Sequence, residues 1–270
     1  MTALAHHIRR ATAIAVSLAA GSTLALAGTA TAHSGNPCGS VAGSAPVAKG
    51  LYQTAYSERN HVLWATSSVG EPPVTNSSLV KLDPRTLKVE AMYRPPVTNP
   101  ETGAVEAVYG IAVDDAHNTV WTTNTRDHSV GVYSQRTGKR LATLPGVNHA
   151  REVVVDEKHN LAWASSFGDG SVIAFDTRTY KEKKRVTLAG SSPAGMAVDE
   201  RTGTAYATDF ANDRIIEIAP RATSPRLIPT GDSPLGARAV SPQLDVMQRQ
   251  LPLSPTHHPR PETASATSAG

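Results

Sequence analysis

One short pattern returns along this chain about every forty residues, and any fold must accommodate it. Gly110-Ile111-Ala112-Val113-Asp114 is followed by Trp121-Thr122-Thr123-Asn124. Val153-Val154-Val155-Asp156 leads to Trp163-Ala164-Ser165-Ser166, and Gly195-Met196-Ala197-Val198-Asp199 leads to Tyr206-Ala207-Thr208-Asp209. A weaker copy runs from Thr54-Ala55-Tyr56-Ser57 to Trp64-Ala65-Thr66-Ser67. The step from the Asp (or Ser57) to the aromatic is seven residues each time, and successive aromatics are 57, 42 and 43 residues apart. A period near forty signals stacked supersecondary units, each burying its faces on its neighbours.

Within each unit the apolar residues alternate, which is the period of a strand. The second unit predicts strands over 108–113, 119–124, 130–133 and 140–144. The third predicts 152–155, 161–165, 171–175 and 183–188, and the fourth 195–198, 204–208, 214–218 and 226–228. Asp114-Asp115-Ala116-His117-Asn118, Asp156-Glu157-Lys158-His159-Asn160 and Asp199-Glu200-Arg201-Thr202-Gly203 align as tight turns. Their final Asn, Asn and Gly tolerate the positive φ a hairpin needs, and the Asp residues are expected to bond the turn backbone. Asp83-Pro84-Arg85-Thr86 and Asp176-Thr177-Arg178-Thr179 are expected to do the same at the next hairpin. Aromatic residues make up 5% of the chain against 20 Gly and 19 Pro, which suits short strands and many turns.

Evenly spaced four-stranded antiparallel units with an aromatic in each describe the blades of a β-propeller, an all-β fold. Trp121-Thr122-Thr123-Asn124 resembles the signature of the YVTN-repeat (YncE-like) β-propellers, with looser copies at 163–166 and 206–209. The preceding Gly-x-Ala-Val-Asp strand is similar to that family's as well. The resemblance covers about residues 50–236. It implies a secreted or surface protein, commonly seven-bladed, acting as a binding or scaffold module, with lactonase-like or DNA-binding behaviour implied only by relatives. This chain departs from the family in having four recognisable blades, which suggests an open arc or partial propeller. Its first blade carries two insertions, 69–76 and 97–105. Thr230-Gly231-Asp232-Ser233-Pro234-Leu235-Gly236 repeats the entry at 189–195, as if a fifth blade began, and the pattern then stops. Position 240 is Val where Asp is expected, and 247 is Met where the aromatic belongs. A reading-frame shift near Ala237 or Arg238 would produce this break; repeats recovered in another frame would demonstrate it. Residues 237–270 then form a Pro-rich, low-complexity tail, expected to be disordered, with at most one short helix capped by Ser241-Pro242.

The N-terminus divides further. Arg9 and Arg10, an apolar run at 11–27 and Ala30-Thr31-Ala32 predict a signal peptide over 1–32, followed by a flexible arm over 33–49. The run is too short and too rich in Ala, Ser and Gly for a membrane span. Arg9-Arg10 also fits twin-arginine export, although Thr12 stands where that signal carries an apolar residue. The one cysteine, Cys38, is read as a free thiol or as a residue whose partner is lost. The formal net charge of +3 does not indicate nucleic acid. The basic run at 181–185 is read as the solvated face of an outer strand.

Propeller geometry gathers the loops 145–151, 191–194 and 231–235 on one face with 125–129, 167–170 and 210–213. A ligand of a propeller is expected at that channel mouth. The entry Val147-Asn148-His149-Ala150-Arg151-Glu152 has a charged pair where the others have Tyr109-Gly110, Ala194-Gly195 and Leu235-Gly236. His149, Arg151 and Glu152, joined by Glu106 and Tyr109, are therefore the candidate site for an anionic or polar ligand. A purely structural alternative is an internal Arg151–Glu152 ion pair. Asn124, Asp127, Asp169, Asp209 and Asp213 are oxygen donors that could place Ca²⁺, although ordinary turn sequences such as 168–171 and 212–213 account for them better. Asn124, Asp169 and Asp209 are the foremost of these. Trp64, Trp121, Trp163 and Tyr206 are expected to pack between blades.

Two functional classes remain: a secreted binding or scaffold module engaging a ligand or protein at the mouth, and a metal-dependent lactonase-like hydrolase. The second needs acids from several blades converging on the axis, and only Glu106 and Glu152 qualify, which favours binding. A truncated, non-functional fragment is a third possibility. An open arc would also expose apolar terminal blade faces and self-associate through them.

Overall fold

The computed structural model describes residues 43–240 and 243–247. The signal, most of the arm with Cys38, and residues 248–270 of the expected tail lie outside the described residues. Each repeat is one four-stranded antiparallel sheet. Blade 1 comprises β1 (Leu51–Ser57), β2 (Val62–Val69), β3 (Asn76–Leu82) and β4 (Val89–Tyr93). The second insertion folds as a small hairpin, β5 (Val97–Asn99) with β6 (Ala104–Val105). Blade 2 comprises β7 (Val108–Asp114), β8 (Thr119–Asn124), β9 (Ser129–Ser134) and β10 (Arg140–Pro145). Blade 3 comprises β11 (Ala150–Asp156), β12 (Leu161–Ser166), β13 (Ser171–Asp176) and β14 (Glu182–Thr187). Blade 4 comprises β15 (Pro193–Asp199), β16 (Thr204–Asp209), β17 (Arg214–Ile218) and β18 (Arg226–Pro229). Helical structure among the described residues is limited to one 3-10 turn, Thr125–Asp127. The arc is unclosed, a partial propeller.

The turns behave as their chemistry requires. Asn118, Asn160 and Gly203 have φ of 57°, 56° and 73°. Asp114, Asp156 and Asp199 accept from the N–H groups of His117, His159 and Arg201 at 2.9, 3.1 and 3.0 Å. Asp83 and Asp176 likewise accept from Thr86 and Thr179 at 2.8 and 2.9 Å. His117 Nδ1 faces both Asp114 and Thr177 Oγ1, at 2.8 and 3.3 Å, which ties this turn to the hairpin of blade 3.

The indole of each blade packs on the next. Trp64 is buried with Ile111, Val120 and Tyr133 of blade 2. Trp121 is buried with Val153, Ala162, Ala164 and Ile173 of blade 3, and Trp163 with Met196, Ala205, Ala207 and Ile216 of blade 4. Tyr206 holds the equivalent place in blade 4 and is only half-buried. At the other end, Ala65, Val80 and Leu82 of blade 1 are covered by Val47 and Ala48 of the arm. That face is therefore less exposed than an open arc implied.

A fifth unit begins and takes a different course from the one expected. β19 (Gly236–Val240) pairs with β20 (Gln243–Met247) and lies beside β15 and β16. Strand pairing thus continues past Gly236, and residues 243–247 are extended where Ser241-Pro242 suggested a helix. Gly195 permits the approach, because a Cβ there would collide with the Leu235 carbonyl.

In the basic run at 181–185, Arg185 pairs with Glu182 at 2.7 Å, and Lys184 Nζ caps the Ala219 and Ala222 carbonyls at 3.2 and 3.0 Å. The run is an outer strand whose cations join it to neighbouring structure.

Candidate functional site

The inner strands β1, β7, β11 and β15 stand side by side, and each carries a register shift near its start. The shift frees one N–H per blade, those of Gln53, Gly110, Glu152 and Gly195. Each is taken by a hydroxyl thirteen residues on, Thr66, Thr123, Ser165 and Thr208, at 3.3, 2.7, 3.0 and 2.9 Å. In the first three blades the same hydroxyl donates to a carbonyl of the next inner strand. Thr66 donates to Tyr109, Thr123 to Arg151 at 3.2 Å, and Ser165 to Ala194 at 2.7 Å. The third residue of each W-x-[S/T] motif is thus a clasp between blades. Its recurrence was visible in the sequence, but the partner atoms were not.

Gln53 and Glu152 are the two non-glycine side chains at these four equivalent positions that carry a polar end toward the axis, and they meet. Gln53 Nε2 donates to both Glu152 carboxylate oxygens at 3.0 and 2.9 Å, while Gln53 Oε1 accepts from Ile111 N at 2.9 Å. Gly110 lies between them, where a Cβ would stand 2.8 Å from the Arg151 carbonyl and 3.4 Å from Gln53 Oε1. Burial pushes the Glu152 carboxyl up to about 7, against the opposing hydrogen bond from Gln53. The Arg151–Glu152 ion pair does not form: Glu152 turns to Gln53, and Arg151 lies over the ring of Phe167, 5.7 Å from its centroid. Adjacent residues on a strand face opposite ways, which separates the two charges.

His149 sits beside Arg151 in a left-handed conformation, φ 51°. Its N–H donates to His128 Nδ1 at 2.9 Å, and its ring lies 5.5 Å from that of Phe167. Phe167 in turn lies 6.2 Å from Phe210. Burial lowers the His149 pKa, and Arg126, Arg151 and His128 depress it further. On the neighbouring entry, Tyr109 meets Tyr52 edge to face at 5.1 Å. Phe167, Phe210, Tyr52 and Gln53 were not singled out in the sequence. The only signal for the two phenylalanines was their shared place at the end of the motif strand.

Glu106 does not join this group. It is buried in blade 2, bonded to Arg140 at 2.5 Å and to Asn124 Nδ2 at 3.1 Å. Asn124 completes that network with Thr122 and Ser129, both at 3.1 Å. Burial raises the Glu106 pKa against the pull of Arg140. Asp169 accepts from Ser171 N at 3.0 Å. Asp209 accepts from Ser191 Oγ and Arg214 Nε, both at 2.8 Å. Burial works against the Asp209 charge, yet its combined hydrogen bonds outweigh that and lower its pKa. Asn124, Asp169 and Asp209 thus serve three different blades. Among the described residues no three His, Cys, Asp or Glu side chains converge as a metal site would require.

No family model matches this chain, and no curated protein does. Its structure is similar to β-propeller chains. One belongs to the nidogen/laminin complex, with a TM-score of 0.56 and 13% identity over 73% of this chain and 71% of that one. Another belongs to the mitotic checkpoint complex, with a TM-score of 0.58 and 15% identity over 72% of this chain and 59% of that one. The chain therefore spans less than two thirds of the second neighbour. Likeness at this identity establishes the fold and leaves function to the site.

Proposed function

We propose that this chain is an exported, non-enzymatic β-propeller module of the YVTN-repeat kind that holds a protein partner at its channel mouth. The observation that carries the reading is the row formed by Arg151, His149, Phe167 and Phe210, half-buried and packed side by side across the loops of blades 3 and 4. Aromatic residues and arginine are the side chains that most often anchor protein interfaces. A second aromatic pair, Tyr52 with Tyr109, stands on the inner strands of blades 1 and 2. Both structural neighbours are parts of protein complexes. Catalysis has less support, because Glu106 and Glu152 are turned to different partners and offer no common centre. Among the described residues no helix is long and apolar enough to cross a membrane.

Panning a random peptide library on the full chain tests the mouth. Binders lost on Phe210→Ser or His149→Ser are expected; binders that all survive both changes would place the contact surface elsewhere. Export is checked separately by N-terminal sequencing of secreted material, expected to begin near His33; secreted protein that still starts at Met1 would exclude cleavage.

A further inference from the structure

Arg151 is the charged side chain that lies against Phe167. The carboxylates of the loops beside it keep their charge but are hydrogen-bonded within the chain. Asp127 accepts from Ala107 N at 3.0 Å, Asp169 from Ser171 N at 3.0 Å and Asp213 from Ser233 N at 2.6 Å. Asp209 meets Arg214, Glu106 meets Arg140, and Glu152 is held by Gln53. Glu101, on the second insertion, is an exposed carboxylate of another loop, and Asp232 is an exposed carboxylate on the last entry loop, beside Phe210's loop. Among the described residues Arg151 has no carboxylate within ion-pair distance, and its guanidinium lies over the face of Phe167. Arg126, on the loop after β8, reaches only the highly exposed Glu71, at 3.5 Å.

We propose that the partner of this mouth presents an acidic side chain next to an apolar or aromatic one. The carboxylate pairs with the Arg151 guanidinium, and the apolar group packs on Phe167 and Phe210. The inference rests on the mouth reading above and specifies its chemistry. A guanidinium lying on an aromatic face keeps its edge N–H groups available for a bidentate carboxylate, and the stack fixes its plane beforehand. The half-buried setting shields such a pair from solvent, so it is worth more than an exposed surface bridge. Burial is the main cause of the depressed His149 pKa, and Arg126, Arg151 and His128 add a positive field at that ring. A neutral His149 still offers a hydrogen bond to the same ligand.

The test uses the peptides recovered on the full chain that depend on Phe210. Their sequences are read for acidic residues beside aromatic ones. A fluorescent copy of the leading peptide is then measured by anisotropy against its Asp→Asn, Glu→Gln version. Binding is expected to weaken about 10-fold with the amide version and about 10-fold on Arg151→Gln. It is also expected to weaken several-fold between about 50 and 300 mM NaCl. Arg178→Gln, on the turn after β13 at the other end of the blade, is expected to change it about 2-fold or less. Circular dichroism of each variant guards against misfolding. Phe210-dependent peptides that are neutral or basic, or that bind Arg151→Gln unchanged, overturn the acidic partner and leave the mouth standing. If no recovered peptide depends on Phe210 or His149, the mouth reading fails and this inference fails with it.

Discussion

Gln53 Nε2 donates to both carboxylate oxygens of Glu152, at 3.0 and 2.9 Å, across the second blade. Gln53 also accepts from Ile111 N, so one side chain joins the inner strands of three consecutive blades. The Glu152 carboxyl, pushed up to about 7 by burial, makes this junction pH-dependent. A raised carboxyl pKa means the folded chain holds the proton more tightly than the unfolded chain. Its stabilisation is therefore full below the ordinary glutamate range and is lost as pH rises through about 7. Because Glu152 is partly exposed, the expected loss between about pH 5 and 8 is on the order of 1–2 kcal/mol. Glu152→Gln should flatten this slope and exceed the parent in stability at pH 8. Urea midpoints across the pH range check it, and an unchanged slope would show that Glu152 is not the titrating group.

The hydroxyl clasps should carry measurable stability. Thr123→Val leaves the Gly110 N–H and the Arg151 carbonyl without their partner, and Ser165→Ala does the same to Glu152 N and Ala194 O. Each buried loss is expected to cost about 1–3 kcal/mol. Thr208→Val, whose hydroxyl returns to the Gly195 carbonyl of its own blade, should cost less than either. Equilibrium unfolding ranks the three, and equal losses would remove the inter-blade role.

Blade packing makes a second ranking. Trp163 is 1% exposed between blades 3 and 4, and its replacement by Ala should cost about 3–5 kcal/mol. Tyr206, at the equivalent position on the last complete blade, is half-buried, and Tyr206→Ala should cost about 1–2 kcal/mol. Chemical denaturation of both variants decides whether the arc weakens toward its fourth blade as these burials indicate.

The arm supplies a test of the terminal face. Val47 and Ala48 pack on Ala65, Val80 and Leu82. Val47→Asp with Ala48→Asp should uncover that face and shift the chain toward larger species in light scattering after size exclusion. A variant as monodisperse as the parent would mean the arm does not shield blade 1.

The four blades were legible because strand alternation, turn residues and the aromatic each impose a local rule that one sequence window can display. Asn118 and Asn160 show this: their positive φ follows from the hairpin each closes. Partners across blades were not legible, because they depend on which equivalent positions are brought together and which way each side chain leaves its strand. Arg151 and Glu152 are neighbours in sequence, yet strand geometry sends one to Phe167 and the other to Gln53, 99 residues away. Glu106 had the right position for the mouth, but Arg140 and Asn124 draw it into blade 2, where a buried carboxylate needs partners. The sequence determined the repeat, its strands and its turns by itself. Tertiary structure alone decided which polar groups met, because a buried charge or donor settles on whichever complement the packed blades bring within reach.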